Sequence, residues 1–372
     1  MAGKLISRMG LHSSIHHIFA ARNILTAQDA LCKTELELME LLDVSLDAVS
    51  AAVTQISEIA CPPCRTVLSV TKDHIMNEPS HGHFQTHLIG LDNALCGGIP
   101  FGAVTEVVAP AGSGKTQFCL MLSVLAALPE SHGGLNGNVV YIDTEHKFNS
   151  GRMIEIAKSR FPDIFHKEGM LRDLAARVLV LQISSLTELA ESLRQLEASV
   201  TQHCIKLVII DSMAALVSSE QGQEQTSSKH DTIGSQASFL KALAEVSRIP
   251  VVVTNQVRLQ NTQDDKSLTF PFEAAKKKSD HIITSKSFEA HLTAALGTNW
   301  AHAVNIRLIF ESYGGQRFIK IAKSPVSPTL AFPFVITALG IELVGTEFFE
   351  IAGQDIAVIH GSGYEDIFRK EE

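Results

Sequence analysis

An apolar strand that breaks into Ala109-Pro110-Ala111-Gly112-Ser113-Gly114-Lys115-Thr116 and then continues as a helix leaves few folds open to a chain. A turn of this kind points successive backbone N–H groups at one spot, an anion nest, and the helix N-terminus behind it adds partial positive charge. Gly112 and Gly114 let the backbone approach a phosphate closely. Lys115 would neutralise β/γ-phosphate charge, and the Thr116 hydroxyl would bind Mg²⁺. The first position of the G-x-x-x-x-G-K-[ST] pattern is Ala109. The missing glycine relaxes one turn constraint and leaves every phosphate-contacting group in place.

Further residues belong to the same arrangement. Leu207-Val208-Ile209-Ile210-Asp211 is an apolar strand that ends in a carboxylate, placed to hold the Mg²⁺ shell or, more blandly, to cap the next helix. Tyr141-Ile142-Asp143-Thr144-Glu145 ends another strand, so Glu145 would face the edge where open parallel sheets bind ligands and could polarise an attacking water. Gln256, at the tip of VVVTNQ, is either a γ-phosphate sensor or an ordinary strand-end amide.

These motifs sit in an alternation of apolar strands and amphipathic helices. TEVVA (105–109), NVVYID (138–143), RVLVLQI (177–183), KLVIID (206–211) and PVVVTNQ (250–256) read as strands buried on both faces, the pattern of a parallel sheet covered by helices. NIRLIFES, QRFIKIAKS, FPFVIT and IELV follow residue 300 without long helices between them and predict an antiparallel extension. Residues 1–60 are helix-rich, with N-caps expected at Thr26, Thr34 and Ser45, and residues 61–86 have linker composition. The expected organisation is therefore a small all-α domain (1–60), a linker (61–86), an α/β core (87–345) and a tail (346–372). Two polar intervals, 213–236 and 258–300, read as long loops.

Composition removes several alternatives. Hydrophobic residues make up 45% of the 372, enough for a buried core, and no run approaches the roughly 18 to 20 apolar residues of a membrane span. Lys+Arg 31 against Asp+Glu 40 gives −9, so nucleic-acid contact must come from a local patch. Six cysteines are too sparse for a disulfide framework, and Cys61-Pro62-Pro63-Cys64 lacks the second ligand pair of a zinc site, so exposed linker thiols are expected.

GLDNALCGGIPFGAVTEV, GSGKTQ, GNVVYIDTE, LVIIDS, VVVTNQ and NWAHAVNIRL resemble, in order, the eukaryotic branch of the RecA-type strand-exchange recombinase family. The likeness runs from about residue 86 to 345 and extends to the helical N-terminus; the combination with IAKSP is most like the family's B-paralogue branch. The resemblance implies a RecA-type P-loop core behind a helix-hairpin-helix-like domain. It also implies a DNA-dependent ATPase of slow turnover, with ATP and Mg²⁺ at a subunit interface, acting in the nucleus in recombination, repair and meiosis. Gly112, Ser113, Gly114, Lys115, Thr116 and Gln117 match the phosphate loop, Glu145 the catalytic carboxylate, Asp211 the Mg²⁺ carboxylate, Gln256 the switch glutamine and Arg152 the arginine along adenine. The polar intervals match two DNA-facing loops.

Departures from the family shape the expected partners. The family's recombinase polymerises through a Phe-x-x-Ala plug; the nearest candidate here is Phe84-Gln85-Thr86-His87, with His in the small apolar position. That favours a hetero-oligomer with other paralogues, the C-type first among them, and with the central recombinase, over a long homofilament. The first loop offers only Lys229 and His230 against Glu220, Glu224 and Asp231, so its contact with DNA should be weak. The second carries Arg258 and the basic run Lys276-Lys277-Lys278, which suits single-stranded DNA, a solvated loop or a nuclear-import patch. Lys323, where the recombinase is acidic, is expected to reach a neighbour's nucleotide in trans, as an arginine finger does. The N-terminal hairpin Leu42-Asp43-Val44-Ser45 lacks the usual glycine, leaving protein contact as open as DNA contact. A scaffold that binds ATP without turnover, and an unrelated P-loop motor, are the competing readings; the latter lacks an LSGGQ-type signature.

Overall fold

The computed structural model describes residues 5–9, 13–61, 66–69, 71–72, 82–167, 169–200, 202–219, 226–257, 289–291, 296, 298–345, 348–351 and 358–360. The chain divides into two units, Met1–Pro79 and Ser80–Glu372. Among the described residues no helix is long and apolar enough to cross a membrane.

In the first unit, polar caps start the short helices at the expected positions. Thr26 and Thr34 close capping boxes with Asp29 and Glu37 at the heads of helices α2 (Ala27–Leu31) and α3 (Glu35–Leu42), behind α1 (Ser13–Ala21). Each such box satisfies two otherwise orphaned N–H groups. Ser45 is the N-cap of α4 (Leu46–Ala60), without a side-chain bond to the helix. Phe19, Leu38, Leu42, Val49, Ala52 and Ile56 form the core of this small bundle. In the hairpin between α3 and α4, Asp43 takes the left-handed conformation (φ 52°) that glycine would otherwise supply.

The second unit is built on one large sheet. Strands β1 (Val104–Ala109), β2 (Asn138–Asp143), β3 (Val178–Gln182), β4 (Ile205–Asp211) and β5 (Val251–Gln256) are parallel. β6 (Ile306–Tyr313) joins β1 in parallel, and β7 (Gln316–Lys323), β8 (Leu330–Thr337) and β9 (Gly340–Leu343) add the antiparallel extension. The order is β9-β8-β7-β6-β1-β5-β4-β2-β3. Side chains alternate across each strand. Val107, Ala109, Val139, Tyr141, Leu207, Ile209 and Val252 therefore meet helix α5 (Lys115–Ala127), while Val104, Val140, Ile142, Val208, Ile210, Val251 and Val253 share the opposite face with Leu240, Leu243 and Trp300. Helix α5 is buried on nearly every side, which is why its sequence is apolar almost throughout.

Three expectations change. Phe84 is fully buried in its own domain's core, its strand pairs with Ile99–Pro100, and Thr86 donates its N–H and hydroxyl to Asp92. The end of the expected 61–86 linker thus belongs to the sheet domain, and Phe84, already a poor plug candidate with His87 in the small apolar position, is buried within its own chain. The 213–236 interval is largely helical: α7 (Met213–Ser219) and α8 (Thr226–Ser247) flank residues 220–225, which lie outside the described residues. Ile233, Ala237, Leu240 and Ala244 bury one face of α8 at helical spacing, a stripe hidden in the sequence by the polar residues of its first turns. RVLVLQI is an edge strand, with Leu179, Val180 and Leu181 exposed, because no element among the described residues covers the rim of the sheet there. Part of the tail joins the fold: Phe349–Glu350 pairs with β8, and Val358–His360 pairs with Glu289–His291.

Candidate functional site

The phosphate loop leaves β1 at Ala109 and turns into α5. Gly112 (φ 77°) and Gly114 (φ 107°) occupy the left-handed region; no atom would meet a Cβ at Gly112, whereas one at Gly114 would come within 3.0 Å of Ile336 Cδ1. The cradle is thus kept open by glycine at one point and closed against β8 at the other. Lys115 Nζ donates to Ala109 O (2.9 Å) and Pro110 O (3.0 Å), curling over the loop. Burial pushes its ammonium down, while Asp211 and Glu145 pull it back up.

Parallel strands bring the carboxylates to the same edge. Asp211, 7% exposed, accepts from three hydroxyls: Thr116 Oγ1 (2.7 Å) and Tyr141 OH (2.7 Å) at Oδ2, and Thr254 Oγ1 (2.6 Å) at Oδ1. Burial, with Cys119 and Asp211 close by, pushes the Tyr141 phenol well above its usual range and keeps it a donor. Thr116 and Asp211 converge as an Mg²⁺ site requires: hard oxygen donors, one charged, beside a phosphate cradle. The donor set fits the ion.

Glu145 follows β2. Its Oε1 accepts from Ser212 Oγ (2.7 Å) and Gln256 Nε2 (2.9 Å), and its Oε2 pairs with Lys147. Burial raises this carboxyl, but Lys147, Ser212 and Gln256 outweigh it and hold it below the usual range. Asp143, one strand-end earlier, accepts the N–H groups of Lys147 (3.0 Å) and Phe148 (2.9 Å) and so shapes the turn that carries Glu145. On the neighbouring helix α6 (Ser150–Arg160), Arg152 Nε donates to Gln117 Oε1 (2.7 Å) and NH1 to Glu155 (2.8 Å), with NH2 on Thr337 O at the end of β8.

The structure therefore brings together Lys115, Thr116, Asp211, Glu145 and Gln256, and separately Gln117 and Arg152. Tyr141, Lys147, Ser212 and Thr254 escaped sequence reasoning. Thr254 and Ser212 each stand beside a motif residue, and Lys147 lies two residues past Glu145, but pairing needs the strand order. Lys323 Nζ donates within the chain to Ala301 O (2.8 Å) and Val304 O (2.6 Å), beyond helix α9 (Thr298–Ala303). Arg258, Lys276, Lys277 and Lys278 lie outside the described residues.

A phosphate loop on the central strand, carboxylates at the ends of parallel strands β4 and β2 beyond β5, and an antiparallel wing define the RecA class of P-loop nucleotide-binding domain. The chain belongs to the Rad51 family: the family model described as Rad51 matches residues 83–344, and one described as XRCC3/RpoA-like, helix-hairpin-helix domain matches residues 6–60. It is 50% identical over 367 residues to the DNA repair protein RAD51 homolog 2 of Arabidopsis thaliana, covering 99% of this chain and 98% of that one. Its likeness to the RAD51 homolog 2 of Homo sapiens is 36% over 361 residues, or 96% of this chain and 93% of the relative. To the DNA repair protein RAD51 homolog 3 of Cricetulus griseus it is 31% over 278 residues, or 71% and 69% of the two chains. The resemblance carried by the motifs, including the B-branch pattern, holds over nearly the whole length.

Proposed function

We propose that the chain is an ATP-binding, slowly hydrolysing recombinase paralogue that works in homologous-recombination repair of DNA double-strand breaks in the nucleus. In this reading it is one subunit of a hetero-oligomer, with a C-type paralogue as first partner, that assists the central recombinase in assembling on single-stranded DNA. The observation that carries the reading is that one strand tip serves both carboxylates: Thr254 on β5 donates to Asp211 together with Thr116, and Gln256 two residues on donates to Glu145.

In this mechanism the loop N–H groups and Lys115 bind the phosphates, while Thr116 and Asp211 would hold Mg²⁺, which would supply charge neutralisation there. Gln117 and Arg152 set the wall for the base. Glu145 orients the attacking water and takes its proton, and Gln256 reports the γ-phosphate by leaving or keeping its bond to Glu145. Lys323 would have to release Ala301 and Val304 to reach a neighbour's nucleotide. Arg258 and Lys276–Lys278 are the DNA contacts of this scheme.

The competing scaffold reading has one observation in its favour. All of the Glu145 oxygens already accept donors, from Ser212, Gln256 and Lys147, so the base is occupied before any water arrives. Calorimetry with MgATP, on the chain alone and with its co-purified partners, tests the shared premise; no heat in either would refute both readings. Lys115→Ala should abolish nucleotide binding and partner assembly. Glu145→Gln should preserve both and stop turnover, and equal repair competence of Glu145→Gln and wild type in cells would favour the scaffold.

A further inference from the structure

A strand tip that touches the nucleotide site with alternate residues must offer the residue between them to the other side of the sheet. On β5, Thr254 and Gln256 reach Asp211 and Glu145, so Asn255 points away, and its Nδ2 donates to Glu106 Oε1 at 2.5 Å. Glu106 lies on β1, three residues before the phosphate loop, and is 3% exposed. It also accepts from Trp300 Nε1 (2.8 Å) on α9 and from Arg307 Nε (2.6 Å) on β6. One buried carboxylate thus ties together β1, β5, α9 and β6.

A carboxylate this deep is tolerated only with donors on every side, and removing any one of them is costly. Its position adds a second meaning. Helix α9 carries Trp300, and its far end is held by Lys323 through Ala301 O and Val304 O. Asn255 Oδ1 is buried without a donor among the described residues, so the amide is held by its bond to Glu106 alone. A peptide-plane movement at Gln256 acts directly on that bond.

We propose that Glu106 is a positioning residue that transmits the state of Gln256 through Asn255 to Trp300, setting the seat of α9. The proposal rests on the reading that residues 109–116 bind ATP, and its test separates the two.

Trp300 is the chain's single tryptophan and is 1% exposed, so its indole emission reports on one buried site, the Glu106 bond included. Adding MgATP, with binding measured in parallel by calorimetry, should change Trp300 emission with the same midpoint as the heat. Asn255→Ala, on the face away from the nucleotide, should keep affinity within about threefold and lose most of the emission change. Glu106→Gln, which keeps the shape and removes the charge, should do the same. Heat of binding with no emission change in wild type would overturn the coupling and leave nucleotide binding intact, and that result needs no variant to fold. An unaltered emission change in Asn255→Ala would also overturn it. Absence of heat would instead overturn the ATP reading.

Discussion

Removing the phenol oxygen of Tyr141 tests whether hydroxyls hold the Asp211 carboxylate in place. Tyr141 is fully buried, its hydroxyl lies 2.7 Å from Asp211 Oδ2, and its ring stands edge-on to Phe148 at 4.9 Å. Tyr141→Phe keeps the ring and its packing and deletes one hydrogen bond to an ionised group, worth about 1.5–3 kcal/mol. The carboxylate is not orphaned, because Thr116 and Thr254 still donate to it. The loss should therefore sit near the middle of that range, about 2 kcal/mol, which for a domain of this size lowers Tm by about 4 °C. Differential scanning calorimetry of wild type and variant, without nucleotide, measures it on the transition of the 80–372 unit. A Tm within about 1 °C of wild type, with near-ultraviolet circular dichroism unchanged, would refute the claim that these hydroxyls hold Asp211 in place.

Three further outcomes follow from the same geometry. Asp92 is pushed up to about 6 by burial, against the pull of Thr86, His87 and Arg160. Because the folded state holds this proton more tightly than the unfolded chain, the group's contribution is full below about pH 4 and is lost as pH rises through 6. Asp92→Asn should flatten that part of the Tm–pH profile; parallel profiles for variant and wild type would contradict it. Lys147→Ala should release Glu145 and raise intrinsic ATP turnover by at most about fivefold, since the lysine is 62% exposed and an exposed pair contributes about 1 kcal/mol or less; unchanged or lower turnover in a phosphate-release assay would contradict it. Gly98→Ala would place a Cβ 2.2 Å from Phe84 O at φ 114°, costing more than about 2 kcal/mol; a wild-type melting curve would show that the His83–Phe84 and Ile99–Pro100 pairing is dispensable.

The nucleotide site was legible because its parts are local. Strand, glycine turn, lysine and helix are contiguous between 104 and 127, and the caps at Thr26 and Thr34 each need only three residues of context. The helix over 226–247 was not, because its apolar stripe starts only at Ile233, after polar turns that look like a loop. The end of the linker was not legible for a related reason: the two-residue strand at Phe84 takes its meaning from its partner Ile99–Pro100, which no pattern near residue 84 shows.

Periodicity and motif spacing, which depend only on near neighbours along the chain, determined that this protein has a helical N-terminal unit, a parallel sheet and a phosphate loop. The placing of β5 between β1 and β4 was decided only by the tertiary structure. That adjacency sets Thr254 on Asp211, Gln256 on Glu145 and Asn255 on Glu106, three contacts spanning 43 to 149 residues of sequence. No local pattern encodes them, because strand order is settled by how helices cover the whole sheet rather than by any one strand's own residues.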